Sequence, residues 1–456
     1  MKKCIKNMIL KTIAARIRKK TKLSKIQSYE LAATLVNCFY SMNGLHFRRN
    51  KIYTDVMFNG LDWRHFSLTE EYLSKQIGTV KQLPRYREPI GLWYTINSEE
   101  TYTDAPKIQN TDQITYYASG REPLLAVANY VAPERKVVLL PYFTCGTVFQ
   151  PFLENNWKII YYKVDTELRL DTKDVEALYE KYQPSIAVFM EYSGMDLTEE
   201  ELQTIGKLKR SGCVTIVDRS QNHYSQQQHK EVDFYFCSLR KWYPCPDGGY
   251  LKRNGDIPLP PAPTDHNDVY ATTCAAMMFA NGLASKTKAT QYLQLARFFR
   301  KVSSAYVCCQ PVRERSMSEY SKAVYFQEKQ KDSLYMQQRK ANFEYISQRI
   351  EGFTSIRPVC SDKSRLTAPP FYFHIYADNR KRLCQYLTTK GIMSWIFWNK
   401  PKGFGTLDDD TEYIFAHIVP LPCDQRYCIG HMKALCNALE EYEKEFGTST
   451  TPPSAT

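Results

Sequence analysis

The chain has 456 residues, 43% of them hydrophobic and 24% charged, with a formal net charge of +13. This is the composition of an ordinary globular protein with room for two or three domains, and it excludes low-complexity and collagen-like chains. No apolar run approaches the roughly 20 residues of a membrane span, and Lys11 interrupts the apolar centre that a signal peptide needs.

The charge is concentrated at the start. Residues 1–60 hold 13 Lys and Arg against 2 Asp and Glu, which is +11 of the +13. Residues 1–20 place Ile5, Ile9, Ile13 and Ile17 four apart with Lys and Arg on the other faces, the pattern of a basic amphipathic helix. Such a helix either packs on its own catalytic module or a partner, the better-supported reading, or makes peripheral contact with an anionic membrane through residues 1–25. No recognition motif accompanies the basic run, so nucleic acid is not an expected partner. A second helix is predicted over 26–42, and Ser67-Leu-Thr-Glu70 resembles a helix cap. Residues 80–110, rich in Tyr, Pro and Thr, read as a long ordered loop.

From 114 to 254 strand and helix patterns alternate. Helices are expected at 123–131, 146–154, 172–181 and 198–210, and strands at 137–140, 158–164, 185–192, 213–217 and 234–239. That alternation argues for a mostly parallel sheet covered on both faces. Pro258 to His266 is a linker, and 268–350 is helical in tone with a long stretch from Lys322 to Ile350. Strand-like FYFHIYA (371–377) and IMSWIFW (392–398), with helices 379–390 and 428–446, predict a small α/β domain. The 14 cysteines are scattered without a CxxC pair or a metal-ligand rhythm. No metal site is expected, and reduced thiols point to a cytoplasmic protein.

The chemistry concentrates between Cys213 and Leu251. Asp218 closes the strand CVTIVD, and Lys241 lies just past the strand FYFCSL. In open α/β sheets ligands sit beyond the carboxyl ends of the strands. A free lysine amine has a pKa of about 10.4 and is a poor nucleophile at neutral pH. An imine to an aldehyde cofactor removes that obstacle. Pyridoxal phosphate is the usual one, and a buried Asp keeps its ring nitrogen protonated. Upstream, Ser119-Gly120-Arg121 precedes a predicted helix start, where main-chain amides attract phosphate. Ser238, three residues before Lys241, places another hydroxyl within reach of the same phosphate. His223, Glu191 and Arg240 are nearby residues for which structural roles are as well supported as functional ones.

These pieces lie in the order found in a known family. YYASGREPL (116–124), VVLLPYFTCGTVFQPF (137–152), VDRSQ (217–221), SLRKWYPCPDGGYL (238–251), GIMSW (391–395), IVPLP (418–422) and KQIG (75–78) resemble the pyridoxal-phosphate sugar aminotransferases related to DegT and StrS, over residues from about 70 to 447. The resemblance implies that Gln221, closing Asp218-Arg-Ser-Gln, packs near the cofactor ring and its phenolic oxygen. It also places Lys241 seven residues before Gly248-Gly249, as in the family. The chain departs from the family at Val217, at Pro246-Asp247, and at Cys145, where related enzymes place an aromatic over the cofactor ring; Phe143 and Tyr142 are the alternatives.

The expected architecture is a three-layer α/β fold of the aspartate-aminotransferase type. It would comprise a basic helical extension (1–67), a large cofactor domain (68–340), a small C-terminal α/β domain (341–447) and a disordered tail (448–456). The resemblance implies an aminotransferase moving an amino group from an amino acid such as glutamate to a keto-sugar nucleotide, for a surface polysaccharide. It also implies a homodimer with sites at the subunit boundary. The alternatives are a pyridoxal-phosphate enzyme of another reaction type and a non-catalytic scaffold seated on a membrane by its basic helix.

Overall fold

The computed structural model describes residues 2–21, 23–41, 90, 94–96, 105–131, 134–394, 396–401 and 403–447. The expected cap at Ser67–Glu70, the KQIG segment, most of the 80–110 loop and the tail lie outside the described residues.

In chain order the helices are α1 (Lys2–Thr21), α2 (Lys25–Ser41), α3 (Glu122–Val131), α4 (Gly146–Glu154), α5 (Thr172–Tyr182), α6 (Glu199–Arg210), α7 (Asp268–Thr287), α8 (Thr290–Cys309), α9 (Glu319–Lys329), α10 (Asp332–Arg349), α11 (Arg380–Thr389), α12 (Asp409–His417) and α13 (Ile429–Phe446). The strands are β1 (Ile114–Tyr117), β2 (Val137–Pro141), β3 (Lys158–Tyr162), β4 (Ile186–Met190), β5 (Val214–Asp218), β6 (Phe234–Cys237), β7 (Gly249–Arg253), β8 (Ile356–Pro358), β9 (Phe373–Ala377) and β10 (Ile418–Leu421).

A seven-stranded sheet in the order β1-β7-β6-β5-β4-β2-β3 forms the centre. Strands β2 to β6 run parallel, and β7 runs antiparallel to both β6 and β1. The strands β2, β4 and β5 are buried at every position, which is why they read as continuous apolar runs rather than alternating ones. Between them, α6 starts at a capping box in which Thr198 and Glu201 bond each other's main chain. It carries three Glu in its first turn and Lys207, Lys209 and Arg210 in its last, matched to the helix dipole. A smaller antiparallel sheet, β10-β9-β8, is backed by α10, α11 and α13.

Several expectations need correction. The stretch 322–350 is two helices, broken at Gln330–Lys331. The break places Asp332 where its carboxylate accepts from Tyr243 (2.6 Å) and Tyr224 (3.4 Å), a tertiary contact that no periodicity announces. Among the described residues of 392–398 there is one bridge, Ile392 to Ile90, instead of a strand. Trp398 takes a positive φ of 51°, and its ring packs on Phe143 at 4.8 Å. The small sheet is completed by β8 and β10, which sequence reading missed.

The N-terminal helices pack on their own chain. Leu10, Ala14 and Ile17 of α1 and Leu31, Ala32 and Leu35 of α2 share one core cluster with Met277, Phe279, Leu295, Phe299 and Tyr306 of α7 and α8. Within that block Glu30 is buried and accepts from Arg315 at 2.6 Å and from Tyr306 at 3.1 Å. Removing one partner of such a pair leaves an uncompensated buried charge. Glu30→Ala should therefore cost about 3–5 kcal/mol in urea unfolding, and the double variant with Arg315→Leu should recover much of that loss.

Candidate active site

The register of β5 against β6 sets the centre of the site. Asp218 is the last residue of β5, opposite Phe236, and β6 ends one residue later at Cys237. The chain then tightens into a single 3-10 turn, Leu239–Lys241, whose last residue is the lysine. Asp218 is buried and its Oδ1 accepts from the Ser220 main-chain N–H at 2.7 Å. Burial pushes its carboxyl above the usual carboxylate range, and the nearby Lys241 ammonium is the strongest influence pulling it back. The two residues singled out by the strand ends are thus near enough for the charge of one to act on the other. Lys241 is half-buried, with Nζ 6.0 Å from the centre of the Phe371 ring.

The expected phosphate turn sits against the same end of β6. A Cβ placed on Gly120 would lie 3.3 Å from the Ser238 Cβ, so the Ser119–Arg121 turn and Ser238 are in contact. Gly249 makes that approach possible, since a Cβ there would meet the Ser119 carbonyl at 2.6 Å. The Ser119 hydroxyl donates to Glu122 at 2.5 Å and accepts from the Arg121 N–H at 3.2 Å, fixing the start of α3. The Arg121 guanidinium is committed elsewhere, donating to Gln150 at 2.8 Å and to the Val307 carbonyl at 3.4 Å. Ser238 is tied in through its main chain, which donates to the Ser220 hydroxyl at 3.1 Å and accepts from Lys241 at 3.2 Å.

Gln221 is almost wholly enclosed. Its Oε1 accepts from the Ser193 N–H at 2.8 Å, while its Nε2 has no partner among the described residues. A buried amide donor without an acceptor is costly, on the order of 1–3 kcal/mol. An oxygen-bearing group in the pocket would satisfy it. The main-chain oxygen of Gln221 accepts from Phe371, linking this loop to the segment that covers Lys241.

Of three further contributors, Ser193 was one of the alternatives to Glu191 for a place facing the cleft, and Phe371 and His374 had no legible signal. Ser193, held at a positive φ of 52° after β4, bonds through Oγ to His374 Nδ1 at 2.8 Å. His374 comes from β9, and its Nε2 is a second buried polar atom without a partner among the described residues. Phe371 lies just before β9. Phe371 and His374 reach the site from the far side of the chain, 130 and 133 residues beyond Lys241.

Of the undecided residues, Glu191 is not in the cleft. It is fully buried and accepts from Arg219 Nε and Nη2 at 3.1 and 3.0 Å. Burial still raises its carboxyl to about 7, despite that ion pair. His223 sits among the rings of Tyr224, Trp242, Tyr243 and Tyr250, with Nε2 3.0 Å from the Tyr243 hydroxyl. That hydroxyl gives its proton to Asp332, so the His223 hydrogen belongs on Nε2. Arg240 turns its guanidinium to 5.6 Å from the Tyr270 ring, at a cavity of about 300 Å³ that α7 and α8 line with Cys274, Met277 and Arg300. Phe143 is buried against Tyr192, Trp398 and Phe415, and Tyr142 stacks on Tyr161 at 5.3 Å.

No protein-family model and no curated protein sequence matches the chain. Solved structures do. The sugar aminotransferase CalS13 from Micromonospora echinospora superposes with a TM-score of 0.54 at 11% identity, over 72% of this chain and 87% of that one. PseC from Helicobacter pylori, an aminotransferase involved in pseudoaminic acid biosynthesis, gives 0.53 at 13% identity, over 73% and 87%. A DegT DnrJ EryC1 StrS aminotransferase from Brucella abortus gives 0.51 at 14% identity, over 72% and 86%.

The chain shares the fold of these aminotransferases. The expected three-layer α/β architecture with its mostly parallel sheet is therefore the observed one.

The buried histidines make a testable demand on stability. Burial lowers the His374 imidazole from its ordinary 6.5 to about 3. Between those values the unfolded chain takes up a proton that the folded chain refuses. The contribution is complete above pH 6.5 and is lost as pH falls. From pH 7 to pH 5 the cost is about 2 kcal/mol for this one group. His374→Gln should lose that much less over the same interval in urea titrations. An unchanged pH dependence would mean that His374 is solvated.

Proposed function

We propose that the protein is a pyridoxal-phosphate-dependent aminotransferase. In this reading it transfers an amino group from an amino acid, glutamate being the best-supported donor, to a keto-sugar nucleotide for amino-sugar and surface-polysaccharide synthesis. The observation that carries the proposal is the placement of Lys241 beside the buried Asp218 at the carboxyl ends of adjacent parallel strands. The fold shared with sugar aminotransferases, at identities of 11–14%, supports the same reading.

The residues present fit the cofactor. The unpartnered Gln221 Nε2 is a donor suited to a phenolic oxygen, and Asp218 is an enclosed carboxylate suited to a protonated ring nitrogen. The Ser119-Gly120-Arg121 turn opens α3, so its remaining main-chain amides and the Ser238 hydroxyl would hold a phosphate, while the Ser119 hydroxyl, donating to Glu122, fixes the turn. With the Arg121 guanidinium bonded to Gln150, the turn would work through amides and the helix dipole. When bound, pyridoxal phosphate supplies an aldehyde for the lysine and an electron sink for the charge left by deprotonation.

The chain's own groups do the rest. Lys241 is the cofactor-bearing amine; once displaced by the donor it is the base that removes the α-proton and returns it during transfer. Asp218 holds the ring-nitrogen proton in place. The rings of Phe371 and Trp242 flank the lysine segment and help exclude water. The proposal includes a homodimer with sites at the subunit boundary, as the family resemblance implies, and a domain division near residue 340. Eleven free thiols among the described residues support a reducing, cytoplasmic setting.

The reading is tested by a half-reaction. Protein supplied with pyridoxal phosphate and glutamate should release 2-oxoglutarate, detected by mass spectrometry. Lys241→Ala should reduce that rate by about 10²–10⁴-fold. Asp218→Asn should lower it by a comparable factor while the melting temperature holds or rises, because the variant no longer buries a charge. Full turnover in the Lys241 variant would contradict the mechanism. A screen of keto-sugar nucleotides in the second half-reaction identifies the acceptor.

A further inference from the structure

Nearly all of the chain's net charge lies on one structural unit that the catalytic pocket does not use. The helices α1, α2, α7 and α8 share a single apolar core. Together they hold 13 Lys and Arg against two acids, Glu30 and Asp268, which is +11 of the chain's +13. Glu30 faces inward onto Arg315, so it does not offset the surface charge. Lys11, Arg16, Arg18, Lys19 and Lys20 of α1 are exposed, as are Lys25 of α2 and Arg297 of α8. Among the described side chains of α1, the buried Leu10, Ala14 and Ile17 fall on one side at helical spacing, and Lys11, Arg16, Arg18, Lys19 and Lys20 occupy the remaining arc.

Beside this charge lie two exposed apolar side chains. Ile26 is 59% exposed and Tyr29 40% exposed, and their i,i+3 spacing puts them on one face of α2, next to Lys25. The other large exposed hydrophobics among the described residues, such as Tyr130, Leu153 and Leu334, lie outside α1, α2, α7 and α8. Cations with an adjacent aliphatic and a tyrosine suit a lipid headgroup boundary, where the charge meets anionic headgroups and the ring sits at the interface. A nucleic acid would call for stacking platforms along a groove, and Ile26 offers none. A second copy of the same surface would face like charge.

We propose that the α1–α2–α7–α8 block is a docking surface for an anionic membrane, which it meets through exposed lysines and arginines with Ile26 and Tyr29 at the headgroup boundary. This differs from insertion of an amphipathic α1, whose apolar side is already occupied by the protein core. Among the described residues no helix is long and apolar enough to cross a membrane, so the contact is peripheral. The inference does not rest on the proposed reaction; an enzyme of any activity with this surface would dock in the same way.

The test uses the full chain in sedimentation with phosphatidylcholine vesicles, with and without phosphatidylserine. Binding should require the anionic lipid and should disappear as salt is raised, because exposed charges are screened. Arg16→Gln, Lys19→Gln and Lys20→Gln should each weaken it by about fivefold, the equivalent of ~1 kcal/mol per cation. Ile26→Ser and Tyr29→Ser should weaken it without changing the salt slope. All five positions are exposed, so the variants should keep the wild-type melting temperature and glutamate half-reaction. Equal binding to neutral vesicles, binding unaffected by the α1 variants, or tighter binding to duplex DNA or RNA than to anionic vesicles at the same salt would each overturn the proposal.

Discussion

An acid enclosed at the end of a parallel strand is the constraint on which this site depends. Asp218 closes β5 in full burial, and desolvation works against its charged form. What favours that form is Lys241, delivered by the 3-10 turn after β6, together with the Ser220 N–H. The strand register fixes where both residues emerge, and a one-residue slip in either strand would turn one of them to the opposite face. The sheet is thus both the core of the protein and the jig for its chemistry.

Around that pair the structure assembles groups from distant parts of the chain. Gly249 lets β7 press on the Ser119 carbonyl, which brings the α3 turn against Ser238. The Ser193 N–H orients the Gln221 amide so that its remaining donor is left for a ligand. His374 reaches Ser193 from the small sheet, so the two sheets meet at the pocket through one hydrogen bond between side chains. Asp247, in the loop after Lys241, accepts from the Ser318 N–H and hydroxyl at 3.0 and 2.6 Å and ties that loop to the start of α9. That loop therefore holds Lys241 against the start of a helix from another part of the chain.

Much of this was legible in the sequence because the signals are local. Asp218 and Lys241 could be placed from two apolar runs and the rule that ligands sit at the strand ends. The Ser119-Gly120-Arg121 turn could be placed before a predicted helix, and the alternation from 137 to 239 gave the parallel layers. The strand β7 escaped because it opens on glycine and ends on Lys252-Arg253, without the apolar run of its neighbours. The break between α9 and α10 escaped because it depends on Asp332 bonding Tyr243 and Tyr224, about 90–110 residues away. Phe371 and His374 are unremarkable in composition; only tertiary folding brings them to the pocket. The charge of α1 was plain from the sequence, whereas its continuation onto α8 needed the packing of the four helices.

The most direct measurement of the central claim is chemical trapping at the lysine. The protein is incubated with pyridoxal phosphate, reduced with borohydride, digested and mapped by mass spectrometry. The account predicts one pyridoxyl-modified peptide, carrying the label on Lys241, and weaker labelling when Asp218 is replaced by Asn. Label spread over surface lysines with Lys241 unmodified, or no label at all, would contradict it.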